Sequence, residues 1–136
     1  MSEKNLSKYV RNLISRFGHV ESHEDRYKTG IPDLSYGVGG INGWIELKYL
    51  SSWPTKPEAP VKLRRFTPAQ RNWLQSRGAA GGHCFLFLQV GDEYLLFRHP
   101  AVGAIDGFNK DHVIAHGGYH WRRLVTASEF RLALIT

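Results

Sequence analysis

Asp33, Glu46 and Lys48 are the residues of this chain whose types and spacing could do chemistry together. In Trp44-Ile45-Glu46-Leu47-Lys48 apolar and functional positions alternate as in a half-buried β-strand, so Glu46 and Lys48 share one face and Ile45 and Leu47 the other. Asp33 precedes Glu46 by thirteen positions, with Gly37, Gly39, Gly40 and Gly43 between them. That glycine content suits a chain reversal, which would set 34–38 and 44–50 side by side as antiparallel strands and bring Asp33 beside Glu46. Two converging carboxylates repel each other, and a divalent cation relieves the cost. Oxygen-only ligands favour a hard ion such as magnesium, held partly by water and partly by substrate phosphate. Metal, lysine and phosphate together read as phosphodiester chemistry.

Gly30-Ile31-Pro32-Asp33 followed by Ile45-Glu46-Leu47-Lys48 resembles the core motif of the PD-(D/E)XK nuclease superfamily, in particular its small phage-type, VRR-NUC-like and Holliday-junction-resolvase-like members. The resemblance rests on short motifs spread over the first half of the chain. It implies a restriction-endonuclease-like α/β core, a mixed central sheet of about four or five strands flanked by helices. It also implies a magnesium-dependent DNA endonuclease, with manganese able to substitute. On the same basis Asp33 and Glu46 would ligate the metal together with the Leu47 carbonyl, and Lys48 would orient the attacking water or clamp the phosphate charge. The clamp asks less of the sequence, because a lysine acting as base needs a depressed pKa. Gln70 would stand near the active site, and Glu3 of the first helix would be a further acidic ligand. Small members of this type often work as homodimers on branched or nicked DNA, and a phage-encoded enzyme acting in a host cell would fit.

Each of these residues also has a purely structural reading. Thr67-Pro68-Ala69-Gln70 is a helix N-terminus in which Gln70 completes a capping box. Glu3 is an acid in a first helical turn, which the helix dipole favours. Glu46 and Lys48 could be an incidental surface pair of little energetic worth. Two other functions stay open: a non-catalytic nucleic-acid-binding protein on a nuclease fold, and cleavage of RNA or single strands. For the latter, Trp53, Phe66 and Trp73 could stack unpaired bases or simply fill the core.

The elements that must position these groups follow from periodicity. Leu6, Tyr9, Val10, Leu13, Ile14 and Phe17 keep helical spacing, with Ser2 as N-cap and Gly18 as stop. His19 to Arg26 is polar and reads as a short strand and turn, where His23, Glu24 and Asp25 would point to opposite faces rather than converge on a metal. Pro32 suits a strand's first residue, so Asp33 is expected where that strand begins. Residues 51–60 hold three prolines and form a long loop. It runs into Lys62, Arg64 and Arg65, which with Lys28 and Arg71 make the candidate nucleic-acid-binding set. His83 to Val90 and Tyr94 to Arg98 predict a hairpin turning at Gly91-Asp92, apolar on both faces and so central. Further on, the spacing predicts a short helix in 100–108, a hairpin of 112–116 with 119–124 around Gly117-Gly118, and a terminal helix opened by a capping box at Thr126 to Glu129. The two glycines separate His120 from His112 and His116, which argues against a zinc site.

Composition sets the outer bounds. At 136 residues the chain has room for a single domain, and 42% hydrophobic with 22% charged residues is globular rather than disordered. No apolar run approaches membrane-spanning length and the first residues lack a signal segment, so a soluble, cytoplasmic protein is expected. Cys84 is the lone cysteine, inside an apolar run, and reads as a buried structural thiol. Eighteen Lys and Arg against twelve Asp and Glu leave a charge of +6, which suits a polyanionic partner such as DNA.

Overall fold

A computed structural model describes residues 2–23, 30–103 and 105–136. Helix α1 (Glu3–Ser15) is capped by Ser2, whose side chain accepts from the Asn5 N–H, and is followed by β1 (His19–Ser22), β2 (Leu34–Val38) and β3 (Ile41–Leu50). Then come α2 (Pro68–Ala79), β4 (His83–Val90), β5 (Glu93–Arg98), a 3-10 turn at Ala101–Gly103, α3 (Lys110–His116), β6 (Tyr119–Trp121) and α4 (Ala127–Ile135). The strands form one mixed sheet in the order β1-β2-β3-β4-β5-β6, antiparallel throughout except for the parallel pair β3/β4. A parallel pair needs a crossover, which the long loop and α2 supply.

The sheet has six strands rather than four or five, because both edges carry short extra strands, β1 with four residues and β6 with three. The 110–116 segment is also not the strand the sequence suggested. Asn109 accepts from the His112 N–H as N-cap and Val113 is buried, so a short helix forms there, ended by Gly117. Of the expected hairpin, 119–121 joins the sheet, and among the described residues of 100–108 the expected helix is a 3-10 turn at Ala101–Gly103.

Alternation in the strands divides the core between two faces. On one face Leu34, Tyr36, Ile45, Leu47, Phe85 and Phe87 pack under α1 and α4. On the other, Leu86, Leu88, Leu95 and Phe97 meet Leu74 of α2, Val113 of α3, and Val61, Leu63 and Phe66 of the long loop. That loop is fixed by its backbone: Val61 donates to the Phe108 carbonyl at 2.7 Å, Gly107 to the Val61 carbonyl at 2.8 Å, and the Leu63 N–H to Asp106 Oδ1 at 2.7 Å. Among the described residues no helix is long and apolar enough to cross a membrane.

Two glycine-dependent features place the chemistry. The β2–β3 hairpin turns on Gly39 and Gly40, both at positive φ (55° and 84°), as a tight hairpin turn requires. Gly30, at φ 91°, opens the Gly-Ile-Pro-Asp segment against the start of α2, where a Cβ would lie 2.5 Å from the Ala69 carbonyl oxygen. Gly30→Ala is therefore expected to destabilise the protein by more than about 1 kcal/mol in urea unfolding. An unchanged midpoint would mean that 30–33 does not abut α2.

Candidate active site

The β2–β3 register pairs Leu34 with Ile45, so Asp33, one residue before β2, stands opposite Glu46. Two hydrogen bonds clasp this end of the hairpin. The Asp33 N–H donates to Glu46 Oε1 at 3.2 Å, and the Leu47 N–H donates to Asp33 Oδ2 at 2.8 Å. Pro32 accounts for the arrangement. It is next in register opposite Leu47 and has no N–H, so the ladder stops there and the Asp33 side chain takes over as acceptor. A strand residue's N–H and C=O point to the same side, so the Leu47 carbonyl also faces this side and receives no donor from Pro32.

Lys48 is held on the same face of β3 as Glu46. Its Nζ donates to the Arg65 carbonyl at 2.9 Å and lies 3.0 Å from Glu46 Oε2 and 3.9 Å from Glu3. Arg65 adopts φ 64°, a left-handed conformation that costs a non-glycine residue about 1 kcal/mol, and its carbonyl is the one that meets Lys48. Glu46 and Lys48 are only 1% and 4% exposed, so they are not a surface pair. The approach of Lys48 to Oε2 is a charge contact without hydrogen-bond alignment, and this buried oxygen has no donor among the described residues.

Burial pushes the Glu46 carboxyl up to about 8, with the neighbouring Asp33 charge adding to the rise and Lys48 opposing it. Desolvation wins over the lysine. Asp33 is raised for the same first reason, against the Leu47 N–H and Lys48, and Glu3 is raised by burial against Lys48.

These groups line one cleft of about 570 Å³: Glu3, Ser7, Asp33, Glu46, Leu47, Lys48, Arg65 and Gln70. Gln70 serves its helix and reaches the cleft at once. Its Oε1 accepts from the Thr67 N–H at 3.0 Å in a complete capping box, which leaves the amide N–H₂ as its remaining polar group. Ser7 was missed by the sequence reading, although it lies one turn beyond Glu3 on the same helix face. Among the described residues no three or more His, Cys, Asp or Glu side chains gather into a metal-holding cluster. What the cleft offers is the Glu46 oxygen without a donor, the Asp33 carboxylate and the Leu47 carbonyl, a hard oxygen set that needs water or phosphate to complete it.

The basic candidates separate. Arg65 lines the cleft, whereas Lys62 and Arg64 are exposed along a neighbouring recess with Trp53. Arg71 is turned inward: it donates to Asp106 at 3.0 Å and to the Phe66 carbonyl at 3.0 Å, which anchors the loop. Lys28 lies outside the described residues, as do Glu24 and Asp25. Phe66 is core, while Trp53 and Trp73 are half-buried.

The fold is similar to that of a Holliday junction resolvase. The solved structure of Hjc, a Holliday junction resolvase from the archaeal hyperthermophile Archaeoglobus fulgidus, matches with a TM-score of 0.55 at 14% identity, over 91% of this chain and 97% of that one. At that identity the likeness to the resolvase is one of fold. No protein-family model and no curated protein matches the chain.

The raised Glu46 pKa fixes a pH dependence. A carboxyl whose folded pKa is raised from 4.5 to about 8 contributes stability below pH 4.5 that is lost as pH climbs towards 8. Glu46→Gln removes that loss. Without added metal its melting temperature should draw ahead of wild type between about pH 4.5 and 8, by several degrees at the top of the range, and then hold constant. A difference that does not change with pH would show that Glu46 titrates as an ordinary carboxylate.

Proposed function

We propose that the chain is a magnesium-dependent DNA endonuclease directed to branched DNA. One observation carries the reading: Asp33, Glu46 and Lys48 meet in a single cleft, with a buried carboxylate oxygen that lacks a donor among the described residues. The likeness in fold to a Holliday junction resolvase makes a four-way junction the first substrate to test. The charge of +6 suits a phosphate backbone.

Asp33, Glu46 and the Leu47 carbonyl would hold the ion, with Glu3 at the far side of Lys48 as a weaker candidate. When bound, magnesium or manganese supplies a polarised scissile phosphate and a bound water of lowered pKa. Lys48 is tied to the Arg65 carbonyl and Glu46, so its ammonium is a positioned charge for the phosphate rather than a freely moving side chain. Gln70 can donate from its free amide to a phosphate oxygen. Arg65 grips the strand at the mouth of the cleft, and Lys62 and Arg64 extend the positive surface beyond it.

Labelled four-way junction, plain duplex and single strand, each incubated with magnesium or with chelator, test the reading. Cleavage is expected only with the metal, and Glu46→Ala and Lys48→Ala should each lower it at least about a hundredfold. Cutting in chelator, or cutting that survives both substitutions, contradicts the proposal.

A further inference from the structure

Beyond the cleft, the two elements that wall it continue into a second feature. Trp44 precedes Glu46 by two positions on the same face of β3, about 7 Å along the strand. Trp73 and Arg77 follow Gln70 at i+3 and i+7 on α2, on the same side of the helix. The two indoles meet edge to face with centroids 5.7 Å apart, and the Arg77 guanidinium lies over both, 4.6 Å from the Trp44 ring and 4.7 Å from the Trp73 ring.

Arg77 is exposed, and among the described residues no carboxylate or hydrogen bond holds its guanidinium. Its stem passes over Gly82 and its head lies on the rings. Open recesses lie on either side, one against Trp73 and Arg77 on α2 and one over the sheet at Ser35, Asn42 and Trp44. A planar cation fixed on aromatic faces, with its N–H edges and outer face open, is suited to a nucleobase: the base stacks on the guanidinium plane while the edges reach its phosphate. Base pairs inside a duplex are already stacked on both faces, so the site suits an unpaired nucleotide.

We propose that Trp44, Trp73 and Arg77 form a stacking site for an unpaired nucleotide on the strand whose phosphate enters the neighbouring cleft. The occupant is single-stranded DNA at a branch, flap or gap. The site rests on the nuclease reading for its purpose, but its binding chemistry is independent of metal and cleavage.

Binding in chelator, followed by fluorescence anisotropy of labelled oligothymidylate and labelled duplex and by tryptophan quenching, tests the site. Wild type should bind oligothymidylate with quenching. Arg77→Lys keeps the charge but loses the plane, and Trp73→Leu removes one ring. Each should weaken oligothymidylate binding about tenfold, the scale of one stacked base, while duplex binding stays within about twofold. Arg77→Lys, at an exposed position, guards against a folding artefact in the tryptophan variant. Wild-type affinity in Arg77→Lys, or an equal loss on duplex, overturns the site and makes Arg77 a simple charge contact. A protein that cuts DNA with magnesium yet fails this test keeps the nuclease reading and loses the stacking site; one that passes it without cutting does the reverse.

Discussion

Burial of the Glu46 carboxylate where β2 and β3 part is the constraint on which the rest of this structure depends. A carboxylate that is 1% exposed loses its hydration, and the Lys48 cation at 3.0 Å does not compensate, since the group is still pushed up to about 8. A shift of that size corresponds to a few kcal/mol set against the ionised form. The surroundings hold the group rather than relieve it. Asp33 gives it one N–H and adds a like charge, Lys48 gives it charge without alignment, and among the described residues one oxygen is left without a donor. Packing on both faces of the sheet desolvates this point at the floor of the cleft, and the proposed cation, gained in use, would offset that cost.

The cover is complete where stability needs it and incomplete where the cleft opens. Helices α1 and α4 close one face, while on the other α2, α3 and the long loop lie over β4 and β5. The loop is fastened by Asp106, which accepts from both Leu63 and Arg71. That anchorage sets Arg65 in its left-handed conformation, with its carbonyl on Lys48. A residue some forty positions from the loop thereby helps fix the orientation of the lysine. At the border of that cover, where the start of β3 meets α2, Trp44, Trp73 and Arg77 come together.

Much of this was legible in the sequence, for identifiable reasons. Alternation through 44–48 and the glycine pair at 39–40 specify the hairpin and its register, and register places Asp33 opposite Glu46. The long apolar run in β4 could only be a central strand. The edges were harder to read. Strands are expected in 19–26 and 119–124, but their short, partly exposed patterns carry little burial signal and do not define their ends, His19–Ser22 and Tyr119–Trp121. The segment 110–116 misled because its apolar pair Val113-Ile114 fits either period, and the Asn109 cap that decides for a helix lies outside the hydrophobic pattern. The pairing of Arg71 with Asp106, thirty-five positions away, has no local signal in the sequence. For Gln70 the structural and functional readings turned out compatible in space, since the N-cap it completes borders the cleft.

The measurement that tests the account most directly is the count of protons released when the metal binds, by calorimetry in buffers of different ionisation enthalpy. If Glu46 is protonated near neutrality and becomes a ligand, magnesium or manganese must displace that proton. About one proton should leave per ion bound near pH 7, falling towards none by about pH 9, and Glu46→Gln should neither bind the ion nor release a proton. Metal binding with no proton release near neutrality, or binding that persists in Glu46→Gln, would contradict the assignment of this carboxylate as the centre of the site.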